Sequence, residues 1–141
     1  WIRSNKRERE IEMSHIERVK EVRAIVEPHY NCGQSILVPF CKELGMTEEQ
    51  AYALGAHLGK GMRHGGTCGA LSGTLLVLGA MGFSEEEAAA FIQQFQKRCG
   101  DTACGVLISG FSDPDSQDRK DFCNDLVLET AAALDQLTAQ K

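Results

Sequence analysis

One segment limits the fold of this chain more than any other. Residues 69–83 read Gly-Ala-Leu-Ser-Gly-Thr-Leu-Leu-Val-Leu-Gly-Ala-Met-Gly-Phe, an apolar run broken only by small residues. A membrane span needs about 20 apolar residues, so the run is too short for insertion into a bilayer. It carries no charge on any face, which predicts a helix buried on all sides, from Cys68 to about Met81. The rest of the chain must then supply amphipathic helices to cover it.

The flanking sequence does this. Ile16, Val19, Val22 and Val26 recur at three or four residues and place a narrow apolar stripe on a helix over Ile11 to Val26. Pro28 ends it. Asn31 is placed to cap a second helix, from Cys32 to about Leu44, in which Pro39 must kink the helix or restart it. Thr47-Glu-Glu-Gln50 and Ser84-Glu-Glu-Glu87 are capping boxes that open a third and a fifth helix. Thr67 is the expected cap of the buried helix, and Asp101 that of a short helix over Thr102 to Ser109. A last helix spans about Arg119 to Thr138. Gly59 to Gly66 is glycine-rich, but it matches neither G-x-G-x-x-G nor a Walker sequence, and no strand precedes it; it is expected to be a turn rather than a phosphate loop. The expected fold is a single all-α domain over 1–141, a compact bundle of about five to seven helices.

Charge narrows the function. The net charge is −5 and the pI about 5.4, whereas a general nucleic-acid binder carries a basic face. Trp1 to Met13 is charged and lacks the apolar core of a secretory signal, which points to the cytoplasm. Met13 also fits a start site, with residues 1–12 an added or disordered extension.

Six cysteines remain to be explained. In a reducing compartment permanent disulfides are uncommon, so these are metal ligands, redox groups or core residues. No two are spaced C-x-x-C, which argues against a thioredoxin motif or a zinc ribbon. Cys99 and Cys104 match only the first step of a plant-type ferredoxin pattern. Position says more. Cys68, Cys32 and Cys104 fall at expected helix starts, where unpaired amides and the helix dipole favour a thiolate. Arg63 and His64 lie close to Cys68 in sequence. Cys123 begins the apolar stripe of the last helix, and Cys41 and Cys99 lie on apolar stripes as core residues. His57 and His64 are weaker candidates, as metal ligands or proton donors to Cys68. His15 and His29 have no evident partner.

Four stretches then carry a resemblance: Cys32-Gly-Gln-Ser-Ile-Leu, Gly65-Gly-Thr-Cys68-Gly-Ala-Leu-Ser-Gly73, Cys104-Gly-Val-Leu-Ile-Ser-Gly110 and Phe122-Cys123. The chain resembles, over roughly Tyr30 to Leu137, the bacterial redox-active proteins named for their C_GCAxxG_C_C pattern. The central step here runs Cys-Gly-Ala-x-x-Gly, with the first two letters in the opposite order from the family label. The resemblance implies a redox role for Cys32, Cys68, Cys104 and Cys123, none for Cys41 or Cys99, and a redox partner protein. Two chemistries suit such a set. One is thiol–disulfide exchange centred on Cys68 with Cys32 or Cys104 as partner. The other is electron transfer through an iron–sulfur cluster on the four thiolates, with zinc as a second metal. A metal-binding module without turnover and a protein with inert buried thiols are the non-catalytic alternatives, and self-association is left open.

Overall fold

Polar side chains that satisfy the first free amides start five of the helices. The computed structural model describes residues 14–140, and among these are seven α-helices: α1 His15–Ala24, α2 Cys32–Leu37, α3 Glu48–Leu54, α4 Gly69–Ala80, α5 Glu85–Cys99, α6 Cys104–Leu107 and α7 Gln117–Thr138. Ser14, Asn31, Thr47, Ser84 and Ser116 cap α1, α2, α3, α5 and α7 through their side chains. At Asn31, Thr47 and Ser84 a glutamine or glutamate three residues on completes a capping box. Each such cap contributes about 1 kcal/mol. The fold is all-α. Among the described residues, β pairing is confined to one isolated antiparallel bridge between Thr67 and Ala103. None of the described helices is long and apolar enough to cross a membrane. Residues 1–12, and the start of the first expected helix at Ile11, lie outside the described residues.

The apolar run forms α4 and occupies the centre. Ala70, Leu71, Thr74, Val77 and Leu78 are buried, and the helix packs on α2, α5 and α7. Thr74 stays buried because its hydroxyl donates to the Ala70 carbonyl at 2.8 Å. Ile36 and Leu37 of α2, Phe91 and Phe95 of α5, and Val127, Ala131 and Leu134 of α7 close around it. On α1, Val19 and Val22 are fully buried but Val26 is 85% exposed, because the helix ends at Ala24 and the chain turns away. His15 does have partners: its ring stacks on Phe40 at 4.0 Å and its nitrogens meet Glu43 and Asp135, fastening α1 to α7 and to the chain after α2.

Three further helix boundaries differ from the sequence expectation, each for a local reason. The second helix is regular only to Leu37, and separate turns carry the chain on to Gly45. Pro39 has no amide to continue the ladder. Thr67 does not cap α4, because it is held in the bridge to Ala103; Cys68 is itself the N-cap residue. The same bridge keeps Ala103 extended, so α6 is cut down to Cys104–Leu107. Asp101 turns the chain just before it, accepting from the amides of Thr102 and Ala103 at 2.7 and 2.9 Å.

The α2–α4 contact depends on the absence of side chains. A Cβ on Gly69 would lie 2.8 Å from the Leu58 carbonyl oxygen and 3.0 Å from the Gly33 nitrogen, both backbone atoms that cannot rotate aside. The same position lies 3.4 Å from the Cys32 Cβ, so glycine here lets the start of α4 sit against the start of α2. Gly69→Ala is expected to force the two helices apart and cost about 1–3 kcal/mol, the usual range for overpacking a close contact. Urea denaturation of the two proteins measures it, and an unchanged midpoint would show that the contact is not tight.

Candidate functional site

Each of the four cysteines singled out above is held by a different device. Cys32 is the first residue of α2. Asn31 and Gln34 cap each other's amides, Asn31 Nδ2 donates to the Gly55 carbonyl at 3.0 Å, and Gln34 Nε2 donates to the Tyr52 carbonyl at 2.9 Å. Cys68 stands at the head of α4, its amide donating to the Thr102 carbonyl at 2.8 Å. Cys104 opens α6, its amide donating to the Gly66 carbonyl at 2.7 Å. These two bonds flank the Thr67–Ala103 pair, so the bridge ties the backbones of Cys68 and Cys104 together. Cys123 lies on the inner face of α7, buried, with 9% of its surface exposed.

The four are electrostatic neighbours. Cys32 and Cys123 are close enough to shift each other's ionisation, and ionised Cys68 or Cys123 would disfavour charge on Cys32. Cys68 responds to Cys104 and Cys123, and Cys104 to Cys123. Cys41 and Cys99 are apart from the group; the charges that act on them come from glutamates, Lys42 and Arg98. Both are partly buried against the core.

Ionisation separates the four thiols. Cys123 is pushed down to about 6, chiefly by the neighbouring Cys32 thiol and, against the cost of burial, by Arg119 and Arg23. Arg119 Nη1 donates to Cys123 Sγ at 3.6 Å while its Nε is anchored on the Pro114 carbonyl at 2.5 Å. Cys32 is held well above the ordinary thiol value, because the neighbouring Cys123 takes the charge first and because Cys32 is partly buried. Arg23 stands beside the pair, its Nε donating to Asn124 Oδ1 at 2.7 Å and its Nη1 to the Tyr30 carbonyl and Ser35 Oγ, both at 3.2 Å. Its three partners are next to Cys123 or within three residues of Cys32.

Cys68, expected to be the activated thiol, is shifted the other way. The amides of Leu71 and Ala70 at the start of α4 do favour its thiolate, as a helix start should, but burial outweighs them and pushes Cys68 up to about 11. Cys104 is also raised, mainly by burial. The nearby cations serve elsewhere: Arg63 Nε donates to His57 Nδ1 at 2.7 Å, and His57 and His64 are exposed. Neither histidine is among the groups that set Cys68. Arg119 is four residues before Cys123, one helical turn, a spacing that could have revealed it. Arg23 reaches Cys123's neighbour across 101 positions, and nothing in the sequence marks it.

Residues 59–66 are a turn, as expected, but of an uncommon kind. Lys60, Gly61, Met62 and Arg63 all have positive φ, at 56°, 62°, 55° and 68°, one turn wound left-handed. L-residues normally enter this region singly, at roughly 1–2 kcal/mol each. Gly61 must be glycine also on packing grounds, since its Cβ would strike the Gly66 carbonyl and lie 2.8 Å from the Cys104 Cβ.

An iron–sulfur cluster or a tetrahedral zinc ion needs about four ligand atoms converging on one point. Among the described residues no group of three or more His, Cys, Asp or Glu side chains is placed to hold a metal ion. The thiols as arranged do not fit either metal group.

Fold and site together define an all-helical protein with two neighbouring thiols shifted in opposite directions, Cys123 down and Cys32 up, and an arginine on the Cys123 sulfur. The family model described as "Putative redox-active protein (C_GCAxxG_C_C)" matches residues 30–137. That is most of the chain, and the protein belongs to this redox-active family. No curated protein and no solved structure matches it.

The pKa order has a direct consequence. Alkylation of Cys123 by iodoacetamide should rise with pH through a midpoint near 6, because the thiolate is the reacting form. Arg119→Ala removes a group that favours the thiolate, so the midpoint should move up, with each tenfold loss of thiolate at fixed pH equal to about 1.4 kcal/mol. Peptide mass mapping of alkylated protein across pH measures both. An unmoved midpoint in Arg119→Ala would remove the arginine from this role.

Proposed function

We propose that the protein carries out thiol–disulfide exchange, with Cys123 as nucleophile and Cys32 as resolving thiol. The observation that carries this reading is the bond from Arg119 Nη1 to the Cys123 sulfur at 3.6 Å, with Cys32 close enough to shift the same thiol. A thiol favoured as thiolate beside one that keeps its proton is what a two-thiol exchange requires.

The electrons balance as follows. The Cys123 thiolate attacks one sulfur of an oxidised partner disulfide, and the other partner sulfur leaves as a thiolate that takes up a proton. Cys32 loses its proton and attacks the Cys123 sulfur of the mixed disulfide, and the second partner thiol leaves. Cys32 and Cys123 are then oxidised to a disulfide and the partner is reduced to two thiols. The reverse sequence reduces the protein. Arg23 and Arg119 hold negative charge on Cys123 both as attacking and as leaving group. With Cys123 9% exposed, the oxidant that suits the site is a low-molecular-weight disulfide rather than the face of a large folded protein.

Incubating reduced protein with hydroxyethyl disulfide and mapping the products is the test. Wild type is expected to form a Cys32–Cys123 disulfide. Cys32→Ser should stop at the mixed disulfide on Cys123, and Cys123→Ser should slow mixed-disulfide formation at least tenfold at pH 7. Mixed disulfide forming first on Cys41 or Cys99 would sink the proposal. So would stoichiometric iron in anaerobically purified protein together with cluster absorbance bands that disappear in Cys123→Ser.

A further inference from the structure

The loop between α1 and α2 meets the first turns of α3 at an open cavity of about 320 Å³, lined by Pro28, Tyr30, Glu48, Glu49 and Tyr52. Small-molecule sites range over roughly 300–1,000 Å³. None of these residues is among the groups that act on the Cys32, Cys68, Cys104 or Cys123 thiols. Tyr52 follows Glu48 by four residues and Glu49 by three, so the three share one face of α3. The walls are held from outside. The Tyr52 hydroxyl donates to the His29 carbonyl at 2.8 Å, and the Tyr52 carbonyl accepts from Gln34 Nε2 at 2.9 Å. The Tyr30 carbonyl accepts from Arg23 Nη1 at 3.2 Å. Glu48 accepts from Arg18 Nε and Nη2 at 3.0 and 2.8 Å, and Arg18 Nη1 donates to Glu21 at 3.1 Å. The two tyrosine rings meet edge to face, with centroids 5.0 Å apart and planes at 76°. In such a pair one ring spends only its edge and keeps its faces. The Glu49 carboxylate has no hydrogen-bond or ion-pair partner among the described residues.

From this arrangement we infer that the cavity is a binding site for a methylated ammonium group. What the lining has left to offer a ligand is aromatic face, apolar wall and one carboxylate. The faces of Tyr30 and Tyr52 attract a cation through the negative centre of the ring quadrupole. Pro28 gives the methyl groups an apolar wall, and Glu49 gives the charge its counter-ion. The cation beside the cavity, Arg18, is committed to Glu48 and Glu21 and does not compensate Glu49. An anion in the same place would face Glu49 without a matching cation. A bare ammonium is also poorly served: it is strongly hydrated and brings three donors, and the unpartnered carboxylate is a single group. A methylated ammonium brings the charge without the donors. The site is independent of thiol exchange, and the inference stands whether or not that function does.

Titration of isotope-labelled full-length protein with choline, followed by amide NMR shifts, tests this. Low ionic strength suits it, because exposed charges are then least screened. Choline is expected to shift the amides of Tyr30, Glu48, Glu49 and Tyr52 to saturation. Dimethylbutanol, its neutral carbon analogue, should bind about tenfold more weakly, since it loses both the ring attraction and the carboxylate. Glu49→Gln should weaken choline about two- to fivefold. Tyr30→Leu, which keeps apolar bulk, should weaken it by about the same factor. Glu49 is exposed, so Glu49→Gln keeps the test open if Tyr30→Leu does not fold. Acetylated trimethyllysine amide is the second probe. Tighter binding than choline assigns the site to a methylated lysine of another protein, and weaker binding to a free small molecule; both uphold the inference. It is overturned if dimethylbutanol binds as tightly as choline, if the shifts fall elsewhere or do not saturate, or if Glu49→Gln and Tyr30→Leu both leave the affinity unchanged.

Discussion

The close approach of α2 and α4 is the contact on which the site depends. Two helix starts can share one place only if neither carries a side chain there, and Gly69 against the Leu58 carbonyl and the Gly33 amide meets that condition. This contact sets Cys32 beside the head of α4. The inner face of α7 then brings Cys123 to Cys32, and the Thr67–Ala103 bridge adds Cys104. Four cysteines spread over 92 positions, from Cys32 to Cys123, become electrostatic neighbours without any paired-ligand motif. The Cys-Gly-Ala-x-x-Gly stretch is thus first a packing element, and its chemistry follows from where the packing puts the thiols.

Two effects compete at these thiols, and their sizes decide which one is ionised. Backbone amides at a helix start favour a thiolate, typically by a fraction of a kcal/mol to about 2 kcal/mol. Burial disfavours it, by several pKa units in the limit. At Cys68 burial wins. Cys123 has no helix start, yet it is the thiol pushed down, because a neighbouring thiol and two guanidinium groups act on it together. Charge partners brought in by tertiary structure outweigh the local dipole.

This also explains how far the sequence could be read. Helix starts were legible because capping is local: Asn31, Thr47 and Ser84 are followed three residues on by their answering side chains. The central position of α4 was legible from its lack of any polar face. The misplaced boundaries at Thr67 and Asp101 share one cause, a bridge between positions 67 and 103 that no local pattern announces. The placement of Cys32, Cys68 and Cys104 at helix starts and of Cys123 on the last helix was legible, but the ranking among the thiols was not. It depends on Arg119, one turn away, and on Arg23, far away in the chain. Pro39 was rightly a problem for a continuous helix, and Val26 fell outside the core because the stripe outran the helix.

The left-handed turn at Lys60–Arg63 carries a consequence for how this protein can vary. Glycine-rich surface stretches ordinarily tolerate insertions and serve as neutral ground for sequence drift. Here the turn ends on Gly66, whose amide is bonded back to the Gly61 carbonyl and whose own carbonyl holds the Cys104 amide. A residue gained or lost between these points would move an acceptor that fixes a thiol. The segment that looks most permissive on paper is therefore a gauge of fixed length, and change in it should be confined to side chains that point outward.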